Sequence, residues 1–424
     1  MNTRRMFRAT FTVCLLLWTV GIYSSGCADT PKNENEIVVT IKDGENAYEL
    51  IQEALIKATA GKTVVLPEGT FSLSRSLSLT VDNVTVRGQG MDKTVLSFKT
   101  QKVENKEEGA QGLRVQASGV VLEGFAIEDT QGDAIKVEDA DGITFRKIRV
   151  EWTGGPDEKN GSYGLYPVKC KHVLIEDCVA KNASDAGIYV GQSEQIIVRR
   201  NHAEGNVAGI EIENSKYADV YENTATKNTG GILVFDLPKL PVQGGKHCRV
   251  YNNNVTGNNT DNFAPEGAIV GKVPAGVGIM ILSNDNVEIF KNTLKDNKTA
   301  HILIVNYEFA VGKFDDPKFD PYPEGIFIHD NTFENGGYDP DGEDFKLLVA
   351  LVGKPLPDVI YDGIFDEKKQ KDGKTPKELM ICFKGEGTWV NLHAYETIPK
   401  PDKDKTPHAC ELPALDPISF DKEG

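Results

Sequence analysis

Lys136, Tyr166, Tyr189 and Glu211 occupy equivalent positions in consecutive copies of a repeated segment. A lysine, two phenols and a carboxylate set side by side could supply base, acid and charge stabiliser for abstracting a proton next to a carboxyl-type group. Glu138 and Glu213 stand two residues further along two of these copies, and proximity of Lys to Glu can shift both pKa values. The same residues also suit a solvated strand face with Lys–Glu and Tyr–Tyr pairs between copies. Asp133, Asp185 and Asp236 sit beside the same column. Calcium takes six to eight converging oxygens, which three scattered aspartates do not supply, so calcium is unsupported. The histidines show no i,i+4 or shared-repeat clustering, so no zinc or copper site and no other cofactor is identified.

The elements that position these residues are measured out by a repeat. Small-plus-aliphatic marks fall at Leu113, Ile135, Leu165, Ile188, Ile210, Ile232, Ile279 and Ile302. A second series is Phe125, Ile148, Cys178, Asn201, Asn223, Asn253, Asn292 and Asn331. From Ile188 to Asn201 is 13 residues, from Asn201 to Ile210 is 9, and the pattern repeats. A period near 22 signifies one structural unit stacked on copies of itself. Segments such as Gly209-Ile210-Glu211-Ile212 alternate at period two, and a second strand precedes each Asn. Two or three short strands per unit predict an all-β, right-handed parallel β-helix over residues 41–340. Asn at the second mark tolerates a left-handed bend, and its amide can hydrogen-bond the Asn one coil away. Phe125, Ile148 and Cys178 fill the same inward column in the early coils.

Asn46 and Glu49 read as a capping box for a short helix whose apolar face is Ala47, Leu50, Ile51, Ala54, Leu55 and Ala58, ended by Gly61. That helix would plug the open end of the coil stack. Residues 341–424 break the repeat and read as a C-terminal cap with a strand near Leu379–Phe383 and a Pro-rich extended tail.

The repeat slips at four places: around Trp152–Pro156, Leu237–Pro241, Asn262–Gly267 (which holds Glu266) and Tyr307–Pro323. Two slips precede the Gly-Ile strand column and two follow it, so the loops would wall a groove over one strand face. Glu138, Asp185, Glu213, Asp236 and Glu266 are the expected binding residues of that groove.

Residues 1–27 read as an export leader. Arg4, Arg5 and Arg8 precede the apolar run Phe11–Tyr23, which is too short for a membrane span. Ser24-Ser25-Gly26-Cys27 resembles a lipobox with Cys27 as the lipidated residue. Thr3-Arg4-Arg5-Met6-Phe7 also resembles a twin-arginine signal, although the strongly apolar Leu15-Leu16-Leu17-Trp18 favours an ordinary charged leader. Residues 28–40 are polar and read as a tether. Loss of the three leader arginines takes the formal charge from −16 to −19. Such a surface repels nucleic acid and anionic membranes and disfavours an anionic polysaccharide. The expected location is the cell envelope, exported and lipid-anchored at the outer membrane or cell surface, with membrane contact through the lipid alone. Seven cysteines are present, and without Cys14 and Cys27 five remain, so they cannot all pair. Cys382–Cys410 is the expected bridge. With no CxxC or CxxCH, neither a dithiol redox site nor covalent haem attachment is encoded.

The entry Leu66-Pro67-Glu68-Gly69-Thr70-Phe71 behind its capping helix resembles the pectin-lyase-like superfamily of right-handed β-helices. Tyr166-Pro167-Val168, Asp185 to Ser193, Val207 to Ser215 and Asn262-Phe263-Ala264-Pro265 resemble an exported bacterial family of parallel β-helix-repeat lipoproteins. That family is similar in repeat type to the β-helix proteins that help mature the copper site of nitrous oxide reductase. The resemblance implies a fold, an address and an exported c-type cytochrome as partner; the family's activity is unknown and it carries over no catalytic residues. Two functions follow. One is a binding or scaffold lipoprotein whose groove holds a carbohydrate or protein partner. The alternative is a polysaccharide lyase, epimerase or hydrolase using the same strand face.

Overall fold

In the computed structural model, which describes residues 34–102, 110–396 and 400–420, the chain winds into coils of a right-handed parallel β-helix. Among the described residues the strands form three sheets of 12, 11 and 10 strands. One coil supplies Ala186–Gly191 to the 11-stranded sheet, Glu194–Arg199 to the 12-stranded sheet and His202–Glu204 to the 10-stranded sheet. The next coil repeats this with Ala208–Glu213, Lys216–Tyr221 and Thr224–Thr226.

The aliphatic marks are one stacked row. Leu113, Ile135, Leu165, Ile188, Ile210, Ile232, Ile279 and Ile302 pair in unbroken parallel register through the 11-stranded sheet. All are buried. Alternation at period two sends these residues inward and their neighbours outward, so each coil adds apolar surface to one continuous core.

The second series is a hydrogen-bonded amide ladder. The Nδ2 of Asn201, Asn223, Asn253 and Asn292 donates to the Oδ1 of the next asparagine at 3.0, 3.0, 2.9 and 3.0 Å, ending on Asn331. The expected backbone reason needs correction. The left-handed residue at each turn is the one before the mark: Lys147, Asp177, Arg200, Glu222, Asn252, Lys291 and Asp330 all have φ between 51° and 56°. The bend is made by a residue whose side chain points away from the core, which leaves the asparagine free to aim its amide inward. Phe125, Ile148 and Cys178 continue the column as buried side chains. A second ladder, Asn206, Asn228, Asn258 and Asn297, runs along another turn with Nδ2–Oδ1 distances of 3.0, 2.9 and 3.2 Å. It lies five residues after each of Asn201, Asn223, Asn253 and Asn292.

Helix α1 (Ala47–Lys57) covers the N-terminal end of the core with Ile51, Ala54 and Leu55 buried. Its start is only half a capping box. The Asn46 side chain accepts from the Tyr48 amide at 3.1 Å, but Glu49 turns outward to pair with Arg75. Glu36–Val38, at the end of the segment expected to be a tether, is a strand paired with Thr63–Val65. Coils also continue past residue 340. Val359–Tyr361 and Trp389–Asn391 extend the 11-stranded sheet, and Ile381–Lys384 extends the 12-stranded sheet. The repeat was lost in the sequence because long insertions separate these strands. Cys382 and Cys410 form the expected disulfide. It starts a tail that lies along the 12-stranded sheet, where the Leu415 and Ile418 amides donate to Glu288 and Asp219 at 3.1 Å each.

The four insertions take different roles. Trp152 turns inward, buried, and its indole N–H donates to the Thr130 carbonyl at 2.7 Å. The loops after the 11-stranded sheet, the later of which opens with the one-turn helix α2 (Tyr307–Ala310), hold each other through Asp316, which accepts from the Lys239 amide at 2.7 Å and the Gln243 side chain at 2.6 Å. Asn262 pins its own loop by donating to the Val270 and Val273 carbonyls at 3.0 and 2.9 Å.

Candidate functional site

The outward face of the 11-stranded sheet carries the expected column. Lys136 pairs with Tyr166 in register, and Tyr189, Glu211, Leu233, Met280 and Leu303 follow one another rung by rung. It is not a solvated face. Tyr189, Glu211, Leu233, Met280 and Leu303 are all at most 5 % exposed, and all but Glu211 pack in one cluster with Leu237, Val270, Val273 and Tyr307 of the inserted loops and Leu348 of the C-terminal region. Leu233 lies beneath the loop containing Val273: a side-chain carbon added at neighbouring Gly230 would meet Val273 at 3.0 Å. Leu237, Tyr307 and Phe319, from the loops at 237–241 and 307–323, belong to the same buried cluster as Leu233, Met280 and Leu303, and Phe309 and Ala310 line a cavity together with Met280 and Leu303.

The N-terminal half of the face is aromatic and acidic. Tyr163, Tyr166 and Tyr189 form a trio with ring centroids 4.5 to 5.0 Å apart. Tyr163 was missed in the sequence; its signal was the Tyr-x-x-Tyr spacing within a single strand, Tyr163–Val168. Gly191 makes room for the trio, since a side-chain carbon there would stand 2.4 Å from the Tyr189 ring. Tyr189 can therefore lie along the sheet and donate to Glu213 at 2.7 Å.

Around these rings stand Asp133, Asp185, Glu211 and Glu213. Asp133 accepts from the Tyr163 amide at 3.3 Å. Burial pushes its carboxyl up to about 6, against the pull of Lys136. Burial and the negative charge of Glu213 push Asp185 to about 8, against a hydrogen bond from Tyr163. Glu211 is raised by burial and then by Asp185 and Glu213. Glu213 goes to about 7 through burial, opposed by the Tyr189 hydroxyl. Burying acids side by side disfavours their charged forms twice, by desolvation and by mutual repulsion. One Glu211 carboxylate oxygen, Oε2, is buried with no hydrogen-bond partner. A buried polar atom left unpaired costs about 1–3 kcal/mol.

The other expected residues fall at different distances from this centre. Lys136 stands 3.1 Å from Glu138 and 5.3 Å from the Tyr166 ring centroid. Burial works against the charge on Glu138, yet hydrogen bonds from Lys136 and Arg114 hold its carboxyl below the usual range. Lys136 is thus an ion-pair partner of Glu138. Tyr166 and Tyr189 are raised by burial and by surrounding acids, so they remain phenols and serve as donors, not as bases. Asp236 lies where the strand leaves the sheet, accepting from the Gly244 and Gly245 amides at 3.1 Å each. Glu266 is exposed on its loop and is not brought to the cluster.

Asp133, Asp185 and Asp236 do not converge on one point. Among the described residues, Asp285, Asp320 and Glu324 are the carboxylates that each place an oxygen within 4.8 Å of the others. The Lys369 ammonium sits 2.6 Å from both Asp320 and Glu324, so that group already has a cation of its own.

The raised carboxyls make stability depend on pH. Their folded pKa values exceed the unfolded ones, so the folded state holds protons that the unfolded chain releases. Their contribution is complete below about pH 4 and is lost as pH rises through about 6 to about 8. The melting temperature is expected to fall between about pH 4 and about pH 8. Glu211→Gln should raise it at pH 8 by on the order of 3 °C, with little change at pH 5. A scanning-fluorimetry series with equal shifts at both pH values would contradict this.

Residues 72–239 match the family described as right handed beta helix region, which is less than half of the chain. Comparison with curated protein sequences finds no match. Among solved structures, the chain is similar to DFA-IIIase from Arthrobacter chlorophenolicus A6 in complex with DFA-III, at 13 % identity and TM-score 0.52, over 77 % of this chain and 92 % of that one. The A-module of the Azotobacter vinelandii mannuronan C-5 epimerase AlgE4 is 16 % identical over 75 % and 87 %, with TM-score 0.46. The catalytic unit of the GH87 alpha-1,3-glucanase of Streptomyces thermodiastaticus strain HF3-3 is 16 % identical over 79 % and 52 %, with TM-score 0.47. At these identities the likeness is one of fold.

Proposed function

We propose that the tyrosine- and carboxyl-lined face of the 11-stranded sheet binds a neutral saccharide chain and cleaves it by general acid–base chemistry. A shared fold does not assign chemistry, so the proposal rests on this chain's own residues. The observation that carries it is the separation between Asp133, at about 6, and Asp185, at about 8, beside three tyrosine rings. Near pH 7 the first is mostly ionised and the second mostly protonated. Two carboxyls held apart in this way are the acid and the base of glycosidic hydrolysis. Asp185 donates its proton to the glycosidic oxygen as the bond to the anomeric carbon breaks. Asp133 takes a proton from the water that adds there. The tyrosine faces stack on sugar rings, and Glu211 Oε2 accepts a sugar hydroxyl. The acidic surroundings disfavour a uronate chain, which makes the substrate neutral and hydrolysis a better fit than the lyase or epimerase routes. The leader reading places the protein outside the cytoplasm, anchored through Cys27, which lies outside the described residues. Among the described residues, no helix is long and apolar enough to cross a membrane.

The same trio and the unpartnered Glu211 oxygen would serve a binding or scaffold protein equally well. Incubation of purified protein with a panel of neutral and uronate oligosaccharides, followed by reducing-end and calorimetric measurement, separates the two. New reducing ends from a neutral chain support hydrolysis. Saturable heat without cleavage supports binding alone, and neither signal removes the saccharide reading.

A further inference from the structure

The C-terminal half of the same sheet faces a second, chemically different cavity of about 570 Å³. Its floor is Met280, Leu303, Val305 and Ile360, and its cover is helix α3 (Glu343–Val352). The volume lies in the range of small-molecule sites, and the floor offers nothing to a sugar hydroxyl. The cover is unusual. Residues 347–352 of α3 are apolar on every side, and a short helix of that kind is ordinarily buried. Here Leu347 and Leu351 are 62 % and 57 % exposed, and Phe309 across the mouth is 50 % exposed. Helix α3 lacks a side-chain N-cap and lies between Gly342 and Gly353, with φ of +87° and +89°. A contiguous apolar mouth of this kind marks an interaction site.

The rim selects the occupant. Lys272, at the end of a one-turn helix (Ile269–Lys272), lines the cavity, is exposed, and has no ion-pair partner among the described residues. The neighbouring acids are largely committed elsewhere: Asp341 accepts from the Ala275 amide at 3.1 Å, and Glu343 pairs with Lys346 at 2.7 Å. Asp344 remains exposed on the first turn of α3. We infer that this cavity binds a single-chain amphiphile with an anionic head, a long-chain fatty acid or an acyl anion of that kind. The chain lies on Met280, Leu303 and Ile360 beneath α3, and the carboxylate meets Lys272. Removing the chain from water is the driving force, and the charge-assisted hydrogen bond fixes its direction.

The full mature protein is titrated into 11-(dansylamino)undecanoic acid while dansyl emission is followed. The expected result is a saturable, blue-shifted signal that palmitate displaces. Lys272→Glu, a surface change, should weaken the probe by about tenfold, and Leu303→Trp should abolish binding by filling the floor. Absence of a saturable signal, or an unchanged affinity in Lys272→Glu, would overturn the assignment. So would sedimentation with phosphatidylcholine vesicles that Leu347→Asp abolishes while the probe does not bind, since the mouth would then be a membrane contact. None of these readouts depends on saccharide cleavage.

Discussion

Asp185→Asn is expected to lower kcat on a neutral oligosaccharide by about 10²–10⁴-fold while leaving its affinity within a few-fold. The amide keeps the shape of the carboxyl and can still accept the hydrogen bond that Tyr163 offers Asp185, but it has no proton to donate to the leaving oxygen. The wild-type rate should rise with pH through about 6, as Asp133 ionises, and fall through about 8, as Asp185 loses its proton. These limbs describe the coupled cluster as a whole. Asp133→Asn should remove the lower limb, and Glu213→Gln should move the upper one downward, because it deletes a negative charge that raises Asp185. Steady-state kinetics across pH 4 to 10 check all three. An Asp185→Asn variant with normal kcat would eliminate Asp185 as the acid. A KM that rises while kcat holds would move it from catalysis to binding.

Asn223→Leu is expected to destabilise the coil stack by on the order of 4 kcal/mol, read as a lower urea midpoint. Asn223 is buried in the middle of its ladder. Its Oδ1 accepts from both the backbone N and the Nδ2 of Asn201, each at 3.0 Å. Its Nδ2 donates to the Val198 carbonyl at 2.9 Å and to Asn253 at 3.0 Å. Leucine matches the size but leaves several of these buried groups unpaired, and that penalty exceeds the gain from an extra apolar side chain. Asn331→Leu should cost much less, because Asn331 ends the ladder and is partly exposed. Equal losses at the two positions would show that the ladder does not carry the stability assigned to it.

The contrast between the ladder and the acid cluster shows what kind of information each leaves in the sequence. The ladder is periodic, so every coil repeats its signal. Even there, the left-handed turn belongs to the residue before each asparagine and not to the asparagine itself. The pattern reports where a bend falls but not which of two adjacent residues makes it. The column Lys136, Tyr166, Tyr189, Glu211 was legible for the same periodic reason, since register follows from the marks. The coils beyond residue 340 were not legible, because insertions separate them from the period, and Tyr163 has no aromatic counterpart on the next rung, where Ala186 stands.

Sequence alone determined the fold, the identity of the outward column and the position of the four insertions, and it made Cys382–Cys410 the expected bridge among five cysteines, which the structure forms. Each depends on spacing or on the few cysteines available, and stacking turns spacing directly into register. The tertiary structure alone decided what those residues are chemically. Lys136 became an ion-pair partner when Glu138 came within 3.1 Å. The tyrosines became protonated donors, and four carboxyls became proton holders, once folded loops closed over a face that looked solvated in one dimension. Periodicity says which side of a sheet a residue leaves from. Whether water reaches it depends on where the inserted loops and α3 come to rest, and that is set by contacts between segments far apart in the chain.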